Sequence, residues 1–173
     1  MIFYQDLVSI IQAKVQVDVI YTDLKKAFKS INHFLLMHKL ENLGVINPML
    51  SWLCTYITDK KRVKMHYYIT DQIIVTSGVP QSSNLSPILF NIFINDLYNE
   101  FHYCKYLLFA DDLKIYLNIN TNNDCKKLQE DLKKFEAWCT HNQIKINISK
   151  CSKITFTKRK KPIVWKYTIY IIF

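Results

Sequence analysis

From Val15 to Thr22 apolar and polar residues alternate with a period of two, which predicts a half-buried strand that delivers Asp23 at its C-terminal end. Ser30 then caps a predicted helix bearing Ile31, Phe34, Leu35, Leu36 and Leu40 on its apolar side, stopped by Gly44 at C′. Asn47-Pro48 opens a second short helix with Leu50, Leu53 and Ile57 on one face. Between Lys61 and Thr76 two β-rich runs, Val63 to Tyr68 and Ile73 to Thr76, predict a hairpin joined near Thr70-Asp71. Ser77 to Gln81 is a turn. Ile88, Leu89, Ile92, Phe93 and Leu97 recur at helical spacing, so a third helix runs from Ser86 or Pro87 to about Glu100. Tyr103 to Phe109 and Leu113 to Ile119 flank Ala110-Asp111-Asp112, a second hairpin with carboxylates at its tip. Asn123 or Asp124 caps a fourth helix carrying Leu128, Leu132, Phe135 and Trp138, and strand-like runs follow at Ile144 to Ile148, Lys153 to Thr157 and Ile163 to Phe173.

That order of elements predicts an α+β fold, a mainly antiparallel sheet backed by helices. At 173 residues the chain has room for one domain. No repeat, low-complexity tract or composition break marks a linker. The formal net charge of +9, carried mostly by lysine, points toward a polyanionic partner or simply toward solubility. With only Gly44 and Gly78 available, neither a dinucleotide fingerprint nor a P-loop can be written. Five cysteines, odd in number and without a Cys-x-x-Cys pair, read as reduced thiols of an intracellular protein, nuclear or cytoplasmic. Cys139, His141 and Cys151 match no common zinc spacing. No apolar run approaches the ~18 residues of a membrane span, and Lys166 interrupts the tail from Ile163.

Asp23 at a strand end and Asp111 with Asp112 at a hairpin tip converge if the two elements are neighbours in one sheet. Adjacent residues in an extended segment point to opposite sides, so one of the pair is expected to join Asp23 as a direct ligand. Carboxylates without histidine suit Mg²⁺, which keeps waters or substrate phosphates as its other ligands. A pair of such ions supports phosphoryl transfer. On the dipeptide alone, an ordinary turn is the commoner explanation of Asp-Asp.

Longer segments narrow the choice. Val19-Ile-Tyr-Thr-Asp23-Leu-Lys-Lys-Ala-Phe28, then Thr76-Ser-Gly-Val-Pro-Gln-Ser-Ser-Asn-Leu-Ser-Pro-Ile-Leu-Phe90, then Phe109-Ala-Asp-Asp112 resemble motifs A, B and C of non-LTR (LINE-type, jockey-like) retrotransposon reverse transcriptases. Trp138-Cys-Thr-His-Asn142 with Ile146-Asn-Ile-Ser-Lys150-Cys151 resembles motif D. The resemblance holds in order and spacing from about Asp6 to about Phe156, and four motifs in series are specific. It implies a palm-like sheet over residues 1–157, partial, with fingers and thumb largely missing, followed by a basic then apolar tail at 158–173. It implies RNA-directed DNA polymerisation on an RNA template from a DNA primer and dNTPs, assisted by two Mg²⁺, with Mn²⁺ as a substitute. Asp23 and Asp111 would hold the ions, with Asp112 as the accompanying acid. Phe28 would close under the deoxyribose, Pro80, Gln81 and Phe109 would lie by the nucleotide, and Lys150 would protonate the leaving pyrophosphate.

Lys25-Lys26 and Lys60-Lys61-Arg62 then become candidates for tracking primer-template phosphates, against the plainer reading of a solvated basic face. For Lys158 to Lys161 the solvated face or a nuclear address is favoured. Three positions depart from the family pattern. Lys29 stands where the family has aspartate, and Ser82 and Ser86 stand where it has glycine. A positive φ at such a serine would cost about 1 kcal/mol or more. The expectation is a truncated palm that looks to a further polypeptide for fingers, thumb or endonuclease. The rival expectation is a catalytically inactive remnant that only binds nucleic acid.

Overall fold

The computed structural model describes residues 8, 12–58, 64–65, 68–69, 77–80 and 83–169. In chain order the elements are β1 (Gln16–Lys25), α1 (Ala27–Ser30), α2 (His33–Asn42), α3 (Met49–Thr58), β2 (Lys64–Met65), β3 (Tyr68–Ile69) and α4 (Ser86–Ile94). A 3₁₀ turn at Asn95–Glu100 follows, then β4 (Lys105–Phe109), β5 (Asp112–Ile119), α5 (Asn122–His141), β6 (Lys145–Ile146), a 3₁₀ turn at Ile148–Lys150, and β7 (Ser152–Phe156). The chain divides into two compact units: β1, β4 to β7 and α5 belong to the first, and α1 to α4 with β2, β3 and residues 142–144 to the second.

In the first unit every strand pair is antiparallel. The order is β4-β5-β1-β6, and β7 pairs with the stretch of β1 that precedes the β6 contact. The expected antiparallel α+β architecture is thus present. Strand period divides β1 into two faces. Val17 and Val19 join Tyr116 in a buried cluster flanked by Tyr21, Leu107 and Phe156. Ile20, Thr22 and Leu24 are buried on the other face. Helix α5 packs on β5 and buries Cys125, Leu128, Leu132, Phe135 and Trp138 at helical spacing. Burying each large apolar side chain is worth about 1.5–3 kcal/mol, which is why this sheet-and-helix layer forms at all.

Several expectations are corrected. The cap of α2 is Asn32, whose Oδ1 accepts the Leu35 N–H at 3.0 Å, whereas the Ser30 hydroxyl donates to the Ala27 carbonyl. Phe34 and Ile88, expected in the core, are 79% and 54% exposed. Lys64 pairs with Ile69 and Met65 with Tyr68, so Val63 to Tyr68 is not a single strand; Thr70-Asp71 and the second run, Ile73 to Thr76, lie outside the described residues. The third helix tightens to 3₁₀ geometry after Ile94. No strand forms over residues 163–169. Gly44 does close α2: its N–H reaches Glu41 O and the Val45 N–H reaches Leu40 O, the paired bonds of a Schellman stop.

All five cysteines are free. Burial, aided by the neighbouring Asp131 charge, pushes the Cys104 thiol far up and keeps it protonated. Burial does the same to Cys139. Among the described residues no helix is long and apolar enough to cross a membrane.

Candidate active site

Register decides which carboxylates meet. Asp23 on β1 stands directly opposite Asp112 on β5, and Asp112 stands opposite Phe109 on β4. Directly opposed residues share a face, so Phe109, Asp112 and Asp23 form one row across three strands. The next row on that face is Leu107, Lys114, Tyr21 and Ser152. Opposed Cα atoms in such a ladder lie about 4.5–5.5 Å apart, close enough for two carboxylates to serve one ion. Asp23 is half-buried, Asp112 is exposed, and Phe109 is 83% exposed. A cleft of about 410 Å³ opens here between Asp23, Asp112, Lys114, Lys150 and Ser152.

The β4–β5 connection is a two-residue turn, Ala110-Asp111. Ala110 takes φ +52°, the positive φ that a tight hairpin requires at its first central position, at a cost of about 1 kcal/mol for a residue with a Cβ. Asp111 therefore sits in the turn, one residue beyond the row, and it is Asp112 that faces Asp23 across the ladder. The residue pattern left open which member of the pair would do so, and the family resemblance had paired Asp111 with Asp23 and made Asp112 the accompanying acid.

Asp23 is held by residues from the end of the sheet. Asn147 Nδ2 donates to Asp23 Oδ2 at 2.9 Å, and Lys150 Nζ lies 3.4 Å from the same oxygen. Lys150 is otherwise exposed, so the pair is screened and worth little to stability. Lys114 Nζ stands 5.3 Å from the Tyr21 ring centroid, a cation–π contact one row from the acids. Asn147 is a residue that sequence reasoning missed. Its only signal was membership of the motif D segment.

The donor set fits a hard divalent cation: oxygen ligands only, half-buried to exposed, with room for waters and phosphate. Among the described residues no three His, Cys, Asp or Glu side chains converge as a ready cage.

In the second unit Phe28 stacks on Phe90, ring centroids 4.4 Å apart and planes at 26°. The loop at Ser77–Pro80 is stitched beneath it: Val79 N–H donates to Phe28 O at 2.9 Å, Gly78 N–H to Ile31 O at 2.8 Å, and His33 Nε2 contacts Gly78 O at 2.7 Å. Ser86 begins α4 without a positive φ, is 4% exposed, and its hydroxyl donates to the Pro80 carbonyl. The strain anticipated for a serine at that position is absent. Lys25 and Lys26 are exposed, and Lys25 lies opposite Lys145 on the face of Asp23. Lys60, Lys61, Arg62, Gln81 and Ser82 lie outside the described residues.

Residues 8–171 match the family model described as reverse transcriptase (RNA-dependent DNA polymerase). The chain is 32% identical over 151 residues to the probable RNA-directed DNA polymerase from transposon BS of Drosophila melanogaster, covering 81% of this chain and 16% of that protein. It is 28% identical over 151 residues to the RNA-directed DNA polymerase from mobile element jockey of Drosophila funebris, covering 79% and 16%. To the Pol polyprotein of the type-1 retrotransposable element R2 of Popillia japonica it is 29% identical over 109 residues, covering 56% and 18%. The chain therefore spans about a sixth of the length of these relatives. Among solved structures, apo telomerase from Candida tropicalis truncated from its C-terminal domain superposes with a TM-score of 0.66 at 16% identity, over 92% of this chain and 34% of that one. Telomerase from the same organism with a fragment of telomeric RNA gives 0.67 at 16% identity, over 89% and 28%. At that identity the likeness concerns the fold.

Proposed function

Because the chain belongs to the reverse transcriptase (RNA-dependent DNA polymerase) family, we propose that it carries the nucleotidyl-transfer centre of a retrotransposon RNA-directed DNA polymerase. The row Asp23–Asp112, opened to a cleft on one sheet face, is the observation that carries this reading. Asp23 and Asp112, with Asp111 one residue away in the turn, hold the divalent cations, Mg²⁺ or Mn²⁺. Ions held by these carboxylates would supply activation of a primer 3′-hydroxyl and neutralisation of charge on the leaving phosphate.

The chain's own residues do the rest. Lys150 carries a proton to the edge of Asp23 and gives it to the departing pyrophosphate oxygen. Phe28, stiffened by Phe90, excludes a 2′-hydroxyl from the deoxyribose site. By the family resemblance Pro80 and Gln81, and separately Phe109, would lie by the nucleotide. Lys25 and Lys26 bind primer-template phosphates, with Lys60, Lys61 and Arg62 as further contacts. RNA template, DNA primer and dNTP are the implied partners. The accommodation of Ser86 and the polymerase relatives argue against an inert remnant.

Primer extension on a primed RNA template with Mg²⁺ or Mn²⁺ tests the reading. Extension by the unmodified chain, lost by more than about a hundredfold in Asp23→Asn and Asp112→Asn, is expected; each charge-removing change deletes a direct ligand of ions that stabilise the transferring phosphoryl group. No extension, or extension indifferent to both changes, rejects it.

A further inference from the structure

Asn147 grips Asp23 at two points. Its backbone N–H donates to the Asp23 carbonyl at 2.8 Å, which continues the β1–β6 ladder one step past Ile146. Its side-chain Nδ2 donates to Asp23 Oδ2 at 2.9 Å. Lys150 Nζ approaches that same oxygen at 3.4 Å. Among the described residues both polar contacts of this carboxylate thus fall on Oδ2, and Oδ1 is left for another partner.

Asn147 is itself fixed. Its Oδ1 accepts the Ser149 hydroxyl at 2.8 Å, which turns the amide so that the NH₂ end meets the carboxylate. Its carbonyl accepts the Lys150 N–H at 3.0 Å and the Cys151 thiol at 3.4 Å. The two donors on Asp23 differ in kind. A neutral amide orients a carboxylate and leaves its negative charge in place, whereas an ammonium ion competes for that charge with any arriving cation.

We propose that Asn147 is a positioning residue for Asp23, pinning Oδ2 so that Oδ1 is presented to a divalent cation, and that Lys150 is the counter-charge which the cation displaces. The inference rests on the reading of Asp23 as a cation ligand and deepens it: the Lys150 ammonium, released from Asp23 as the ion enters, becomes free for the leaving phosphate. The carboxylate–amide contact is the outer support that metal ligands commonly need for orientation.

Mn²⁺ alone, titrated into the apo chain and followed by the EPR signal of the free aqua ion, tests this without turnover. Asp23→Asn is expected to weaken binding strongly. Asn147→Ala is expected to weaken it by roughly tenfold, the lower end of the usual cost of losing a ligand's hydrogen-bond support. Lys150→Met should move the other way, with Mn²⁺ binding several-fold tighter. If the unmodified chain binds no Mn²⁺, or Asp23→Asn changes nothing, the reading of Asp23 fails and the inference falls with it. If Asp23→Asn weakens binding while Asn147→Ala does not, the inference alone is overturned. Should Asn147→Ala fail to fold, a crystal of the unmodified chain with Mn²⁺ decides. Oδ2 kept on Asn147 with Oδ1 on the ion supports the proposal, and a bidentate Asp23 released from Asn147 overturns it.

Discussion

Asp131 on α5 has no solvent exposure, yet it carries an acid into the core because its Oδ2 accepts three backbone N–H groups, from His102, Tyr103 and Cys104, at 3.1, 2.8 and 2.8 Å. These bonds set the loop that leads into β4, and β4 leads to Phe109 and the carboxylate turn. Asp131→Ala strands the buried Cys104 N–H and loosens the other two, so urea unfolding is expected to show a loss of about 2–3 kcal/mol. A loss under half of that would mean the loop is held by its other contacts. Asp131 was invisible in the sequence, where it reads as one more charge on an amphipathic helix. Asp23 and the Asp111-Asp112 pair were legible as acids near strand ends, but β1 runs on to Lys25 and the pattern did not say which of the pair would face Asp23. Asn147 was not: its partner lies 124 residues away.

Element boundaries depend on which of several competent residues wins. Ser30 and Asn32 can both cap a helix, and the sequence does not say which backbone N–H each will meet; here Asn32 reaches Leu35. The buried face of helix α5 was legible, because apolar residues at helical spacing over five turns admit one face only, but its start was not: Asn123 and Asp124, expected as caps, lie inside a helix that begins at Asn122. Its start is fixed by Asp124, whose Oδ2 accepts the Asn120 and Thr121 N–H groups at 3.0 and 2.9 Å. Slight desolvation raises the Asp124 carboxyl, but these hydrogen bonds, with Lys127 nearby, outweigh it and hold the pKa below its ordinary value. A lowered folded pKa stabilises above the unfolded value, about 3.9, and the contribution is lost as pH falls through the lower folded one. Asp124→Ala is thus expected to cost about 1 kcal/mol at neutral pH and almost nothing near pH 2, as read by thermal melts at both pH values. The turn before α4 is tighter still. Gly78 has φ +85°, and a Cβ there would sit 2.8 Å from Lys29 Cα and O, backbone atoms that cannot swing aside. Gly78→Ala is expected to destabilise by about 2–4 kcal/mol, combining positive-φ strain with overpacking. A near-neutral melt would mean that the loop does not clasp α1 so closely.

At the scale of the whole chain, the last segment is where an apolar run misled. Ile163 to Phe173 is rich in β-branched and aromatic residues and so reads as a strand, but a strand also needs an open edge, and composition carries no information on that. Through residue 169 the segment instead has its backbone paired by side chains. Gln16, fully buried on β1, donates to Ile163 O at 2.8 Å and accepts the Ile163 N–H at 2.8 Å. Gln129 on α5 does the same for Thr168, at 2.7 and 2.8 Å. A primary amide offers one donor edge and one acceptor edge, so each glutamine reproduces the two bonds of a strand partner. Between them Tyr167 OH donates to Asp18 Oδ2 at 2.9 Å; that carboxylate is fully buried and also takes Gln16 Nε2, Thr155 Oγ1 and, at 3.2 Å, Lys153 Nζ. A buried charge with four partners tolerates the loss of none cheaply. The segment is therefore a structural strap of the first unit and belongs to the body that holds Asp23, because Gln16 and Asp18 lie on the same strand. Gln16→Leu keeps the volume but removes both amide edges and one bond to Asp18. It is expected to cost about 2–3 kcal/mol, a drop of roughly 4–12 °C in melting temperature, with loss of hydrogen-exchange protection at Ile163. Protection that survives Gln16→Leu would show that Tyr167, Gln129 and the Lys153 bond to Trp165 O suffice to hold the strap.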